Sequence, residues 1–235
     1  MRLRRVPAGT AAEAFARAGR PADSTAWRAA GWCALDLEMT GLDPSSDEII
    51  AVGAVPIEEG RIVLGRCMYT LVRTARRSKH GAVLVHKLRL ADVADAPSLE
   101  EAIDSVLVAL AGRVPVFHTA AIEAGFLERQ FARRHVRLPA AADTEALGRR
   151  WLKARDGPAA GRGMISLGSL AAALGQPGEV PHHALGDALT TAQVFIALAS
   201  RLDAAEPQTV GSLVAAGAGA GAGASAGAAR RFGPG

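Results

Sequence analysis

Asp36 and Glu38 stand two residues apart in Leu35-Asp36-Leu37-Glu38-Met39-Thr40-Gly41. In an extended strand alternate side chains share a face, so the two carboxylates point one way and Leu35 and Leu37 the other. Held ~5 Å apart at an effective dielectric near 20, such charges repel by on the order of 3 kcal/mol. A hard divalent cation is the natural counter-charge for paired oxygen ligands; the plainer alternative is a solvated strand end that happens to carry two acids. Further acids favour the cation. Glu123 falls in the first turns of a helical pattern that follows the apolar run Val114–Phe117, and Asp187 opens a long helical pattern just after His182 and His183. Four carboxylates and an imidazole suit hydrolysis: the acids to hold cations, and the ring, with an ordinary pKa near 6.5, to take up a proton at neutral pH. Gly41 permits a tight turn and close approach of a ligand to the backbone.

These groups need elements to hold them. Trp32–Leu37, Glu48–Ile57 and Ile62–Val72 read as strands rich in apolar and β-branched residues, with Gly60 in the short gap between the last two. The period then changes. Leu99, Ile103, Val106, Leu107 and Leu110 fall on one helical stripe behind a Ser98/Glu101 capping box, and Val114–Phe117 is a short strand. Helical patterns follow at 120–135, 143–154, 166–174 and 184–202. Three early strands followed by alternating helix and strand predict an α/β fold, a mixed sheet with helices packed on it.

Composition bounds the rest. The chain has 235 residues, 49% hydrophobic and 21% charged, which is too apolar for a disordered protein and enough for one substantial domain. The net charge is +4, and of the 27 basic residues only Lys79, Lys87 and Lys153 are lysines. An excess of guanidinium suits phosphate-bearing partners, and the run Arg129, Arg133, Arg134, Arg137 offers either phosphate contacts or a solvated helix face. Cys33 and Cys67 are too few for a disulfide framework and read as buried thiols in a reducing compartment, here taken as the cytoplasm. Basic residues at the start lead into no apolar segment, and residues 207–229, uncharged but mostly Ala and Gly, are too weakly apolar to span a membrane. The expected division is an N-terminal extension over 1–30, a catalytic domain over 31–203 and a flexible Gly/Ala-rich tail over 204–235.

These motifs, in this order, resemble the DEDDh 3′→5′ exonucleases of the DnaQ-like superfamily. The likeness covers about residues 31–203. Its carriers are Asp36-Leu37-Glu38-Met39-Thr40-Gly41, Val85-His86-Lys87-Leu88, His118-Thr119 with Ile122-Glu123, Asp143-Thr144, and the spacing from His182 to Asp187. The resemblance implies an RNase H-like fold with a five-stranded mixed sheet. It implies two Mg²⁺ or Mn²⁺ ions held by Asp36, Glu38, Glu123 and Asp187, with His182 taking the proton from the attacking water. Met39, Thr40, Gly41 and His86 would receive the terminal nucleotide. The implied partner is a single-stranded nucleic-acid 3′ end, DNA ahead of RNA, together with a polymerase or repair protein and no membrane. Two departures stand out: the family's usual Asn and Asp are Thr119 and Glu123 here. An oligoribonuclease-like enzyme is a second expectation, because the first motif fits that branch equally well. A binding module impaired by the two departures is a third.

Overall fold

The computed structural model describes residues 6–75, 88–177 and 183–218. Its frame is one mixed sheet. Strand β1 (Gly31–Met39) pairs antiparallel with β2 (Ile49–Glu58) and parallel with β5 (Arg113–Phe117), and β6 (Ala142–Asp143) extends the parallel side. The other edge of β2 carries both β3 (Arg61–Ile62) and β4 (Met68–Leu71). Among the described residues six strands therefore fill five positions, where the resemblance implied five strands.

The single strand expected over 62–72 is split by a short 3₁₀ turn at Leu64–Arg66. Pro56 accounts for the split. Its carbonyl accepts from Val63 N–H at 2.9 Å, so its polar groups face this edge, but it has no N–H to continue the ladder.

Alternation along the strands sorts side chains into two cores. Trp32, Ala34, Val55 and Ile57 face α4 (Thr144–Asp156), α5 (Leu167–Ala173) and α6 (Ala184–Ala205), which bring Leu147, Leu170, Phe195 and Leu198. Cys33, Leu35, Leu37, Val52 and Ala54 face the opposite way. They meet Ile103, Val106 and Leu107 of α2 (Leu99–Leu110), and Phe126, Leu127 and Phe131 of α3 (Ala120–Arg133). The expected capping box starts α2: Glu101 N–H donates to Ser98 Oγ at 3.3 Å, and Ser98 N–H to Glu101 Oε2 at 2.8 Å.

Packing runs past both expected domain limits. In α1 (Ala11–Ala18), Phe15 meets Phe131 edge-on at 5.6 Å. Trp27 is fully buried, and its backbone N–H donates to Gln208 O at 3.1 Å. Helix α7 (Val210–Ala218) buries Val210 and Leu213 completely, and Val210 N–H reaches Thr25 O. Ala12, Phe15, Trp27 and Ala30 before the expected 31–203 unit, and Val210 and Leu213 after it, thus belong to the core. Each side chain so buried contributes roughly 1.5–3 kcal/mol. Too few large apolar residues occur in these stretches to set up a period, which is why the sequence pattern stops short of them. The Gly/Ala-rich run beyond 218 lies outside the described residues.

Candidate active site

The face of β1 that buries Trp32 and Ala34 continues, at the strand's C-terminal end, as Asp36 and Glu38. Asp187 comes from the first turn of α6. Gly53 brings the two together. It pairs directly with Asp36 across β1 and β2, and a Cβ on it would lie 2.2 Å from the Ala184 carbonyl oxygen. Only a bare backbone lets the start of α6 press onto the sheet there and carry Asp187 over the strand end. Oxygens of Asp36, Glu38 and Asp187 consequently lie within 4.8 Å of one another.

Glu123 enters from the first turn of α3, buried but outside that tight group. Its Oε2 is buried without a hydrogen-bond partner. Among the described residues no Arg or Lys forms an ion pair with Asp36, Glu38 or Glu123. The electrostatic consequence is uniform. Burial, then the charges of Glu123, Asp187 and Glu38, push the Asp36 carboxyl well above the usual range. Glu38 is pushed up to about 7 by burial and then Asp187, and Glu123 to about 8 chiefly by burial, with Asp143 adding to it. Four crowded acids with one orphaned oxygen are compatible with divalent cations, since a carboxylate cluster is stable in the charged form only with a matching positive charge.

A fifth acid shapes the site without joining it. The Asp143 carboxylate accepts from Thr119 N–H (3.3 Å) and Ala120 N–H (3.0 Å) at the start of α3. It also accepts from Glu145 N–H (2.8 Å) and Ala146 N–H (3.4 Å) at the start of α4. One side chain so fixes two helix origins, and through α3 the entry of Glu123. The sequence offered Asp143 only as a match to a family pattern; an N-cap aspartate before a helical period was the signal for half of this role. Thr119 precedes α3 at φ 65°, ψ 56°, a left-handed conformation that a β-branched residue adopts only under strain.

The remaining expectations fare differently. Met39 closes β1 beside the cluster. Thr40 is fully buried; its N–H donates to Glu48 O at 2.9 Å and its Oγ1 accepts from Glu48 N–H at 2.9 Å, so it ties the loop down. The space over Gly41 was expected to admit a ligand. It is filled instead by the Asp47 carboxylate, 2.4 Å from where a Cβ would stand, because that carboxylate folds back to accept from Asp43 N–H.

His118 is structural: burial lowers its pKa, and the ring is held between Thr144 Oγ1 and Ile165 O, each at 2.9 Å. His183 caps α6, its Nδ1 accepting from Gly186 N–H at 3.4 Å. In the basic run, Arg134 pairs with Asp104 and bonds Glu100 O, while Arg129 bonds Pro44 O. His86 and His182 lie outside the described residues. Cys33 and Cys67 are free thiols, and among the described residues no helix is long and apolar enough to cross a membrane.

Sheet order, flanking helices and a cation-ready acid cluster at the end of the central strand define the RNase H-like class of α/β proteins. Residues 33–195 match the RNase T exonuclease family, and the chain belongs to that exonuclease family. A PolC-type DNA polymerase III of Thermotoga petrophila is 34% identical over 165 residues, 69% of this chain and 11% of the relative. A DNA polymerase III subunit epsilon-like protein of Rhodobacter capsulatus is 34% identical over 183 residues, 76% of this chain and 25% of the relative. The chain therefore spans a quarter or less of these relatives. In fold it resembles exonuclease X in complex with 5′ overhanging duplex DNA: TM-score 0.59 and 24% identity over 79% of this chain and 99% of that one.

Proposed function

We propose that this chain is a metal-dependent 3′→5′ exonuclease that shortens DNA from single-stranded 3′ ends. The observation that carries the reading is the convergence of Asp36, Glu38 and Asp187 oxygens within 4.8 Å, with no basic side chain paired to Asp36 or Glu38 among the described residues. Mg²⁺ or Mn²⁺, two ions by family resemblance, would be held by Asp36, Glu38 and Asp187, with Glu123 reaching in from α3. When bound, such ions supply Lewis-acid polarisation of the scissile phosphate and charge balance for the leaving 3′-oxygen.

The chain's own groups do the rest. Asp36, at the centre of the cluster, and Glu38 orient from one rigid strand, while the Gly53 contact sets the height of Asp187 above them. His182 is the proposed acceptor of the proton from the attacking water, since His183 is already committed as a helix cap. Met39, at the end of β1, is proposed to meet the terminal nucleotide, with His86 beyond.

DNA is favoured over RNA by the polymerase names of the relatives, which also support a polymerase or repair partner and action in the cytoplasm. The exonuclease unit is taken as residues 31–203, buttressed by 11–30 and 208–213.

The test is a time course on 5′-labelled single-stranded DNA and RNA with Mg²⁺ or Mn²⁺. Expected is a ladder shortening from the 3′ end, faster on DNA, abolished by EDTA and by Asp36→Ala. Shortening of RNA alone would point to the oligoribonuclease-like reading. The longer arm of Glu123 at a position usually held by Asp favours the binding module as the second reading; tight DNA binding without metal-dependent shortening would establish it.

A further inference from the structure

The acid cluster explains bond cleavage but not how a base is held. Aromatic side chains are scarce, 4% of the chain, and the core consumes most of them. Trp27, Trp32, Phe117, Phe131 and Phe195 are fully buried, and Trp151 carries the guanidinium groups of Arg155 and Arg201 at 4.4 and 5.5 Å from its ring centre.

Tyr69, the chain's single tyrosine, is 38% exposed on β4. It pairs directly with Gly53, which pairs directly with Asp36. Paired residues share a face, so Tyr69 stands in the same row as Asp36, two strand spacings or roughly 10 Å away. The start of α6 covers Gly53 between them. The Tyr69 ring lies nearly parallel to that of exposed His183, centroids 4.6 Å apart and planes at 22°. The ring borders the cluster closely enough that, after burial, the charge of Glu38 raises the phenol pKa.

The geometry points to Tyr69 and His183 as a base-stacking ledge for a nucleotide flanking the scissile bond. It rests on the nuclease reading above and adds to it the contact that grips a base. Every base has a π-face, so the grip is indifferent to sequence, and loss of the ring is expected to weaken binding on the order of 5- to 150-fold.

The test uses the full chain and variants Tyr69→Phe, Tyr69→Leu and His183→Asn. The last retains a side chain able to cap α6. Affinity for a fluorescein-labelled oligo-dT is read by anisotropy in Ca²⁺, so that binding is measured apart from turnover. Matched oligonucleotides carry one abasic residue at the first, second or third position from the 3′ end. Tyr69→Phe should bind like wild type, whereas Tyr69→Leu and His183→Asn should lose affinity. At one abasic position the wild type should lose as much, and Tyr69→Leu should lose nothing further.

Equal loss by Tyr69→Leu on every oligonucleotide, abasic ones included, would mean that the ring only props α6 and would overturn the ledge. So would wild-type affinity in Tyr69→Leu, or no binding by the wild type at all. Shortening by Mg²⁺-loaded wild type without ring dependence would sink the ledge and leave the nuclease reading intact. Ring-dependent binding without shortening would do the reverse.

Discussion

Two sets of acids occupy the same end of the sheet and meet opposite environments. Asp143, closing β6, accepts four backbone N–H groups and spends its charge on two helix starts. Asp36, three positions into the sheet on β1, faces Glu38, Asp187 and Glu123, and what surrounds it penalises its charge. An acid supplied with donors by its own fold is architecture. An acid crowded with others of its kind stores an electrostatic cost of about 3 kcal/mol per close pair, which a cation removes. The difference lies in the donors, since both residues are aspartates at strand ends.

The sharpest way to break the contrast is to neutralise one member of each set. Asp36→Asn should reduce metal-dependent hydrolysis on the order of a thousandfold or more while leaving the metal-free melting temperature unchanged or higher. Asp143→Ala should instead cost about 2–4 kcal/mol of stability, read by denaturant unfolding, because four N–H groups lose a charged acceptor. Equal destabilisation by both would erase the distinction.

Next in size is Gly53→Ala. Its Cβ would collide with the Ala184 carbonyl, a backbone atom that can yield only if α6 shifts. A misplacement of ~1 Å at Asp187 is expected to cost roughly a hundredfold in kcat, with the circular dichroism spectrum retained.

The acid cluster should also set a pH slope. Carboxyls raised in the folded state bind protons more tightly than in the unfolded chain, so their stabilisation is complete below the unfolded value near 4.5 and is lost as pH rises through about 7 for Glu38 and about 8 for Glu123. Metal-free protein should therefore melt at lower temperature at pH 8.5 than at pH 5.5 by an amount that Mg²⁺ or Mn²⁺ reduces; a flat profile in EDTA would speak against the crowding. The smallest effect sharpens the Asp143 side. Thr119→Asn keeps the backbone N–H given to Asp143 and suits the left-handed conformation better, and is expected to gain about 1 kcal/mol in thermal unfolding.

Much of this was legible in the chain. Period-two alternation placed Asp36 and Glu38 on one face, and a helical period put Asp187 in a first turn. The Ser98/Glu101 box marked the start of α2. What escaped depends on contacts between distant segments. The strand over 62–72 breaks because Pro56, on the neighbouring strand, lacks a donor, and the turn at Gly41 is closed by Asp47 from the far side of the loop. Gly53 was one small residue in an apolar run until α6 was seen lying on it. Val210 and Leu213 sit in a Gly/Ala-rich sequence with no period, yet both reach the core. Local pattern reveals which face a side chain takes, but not which segment will cover it.

The cluster on β1 and α6 is expected to bind cations, and titration of Mn²⁺ followed by loss of the free-ion paramagnetic resonance signal measures this. Wild-type protein at neutral pH should take up Mn²⁺ stoichiometrically, with Asp36→Asn and Asp187→Asn each weakening uptake at least tenfold and Asp143→Asn leaving it within a few-fold. Uptake by Asp36→Asn equal to that of the wild type, or none by the wild type, would contradict it.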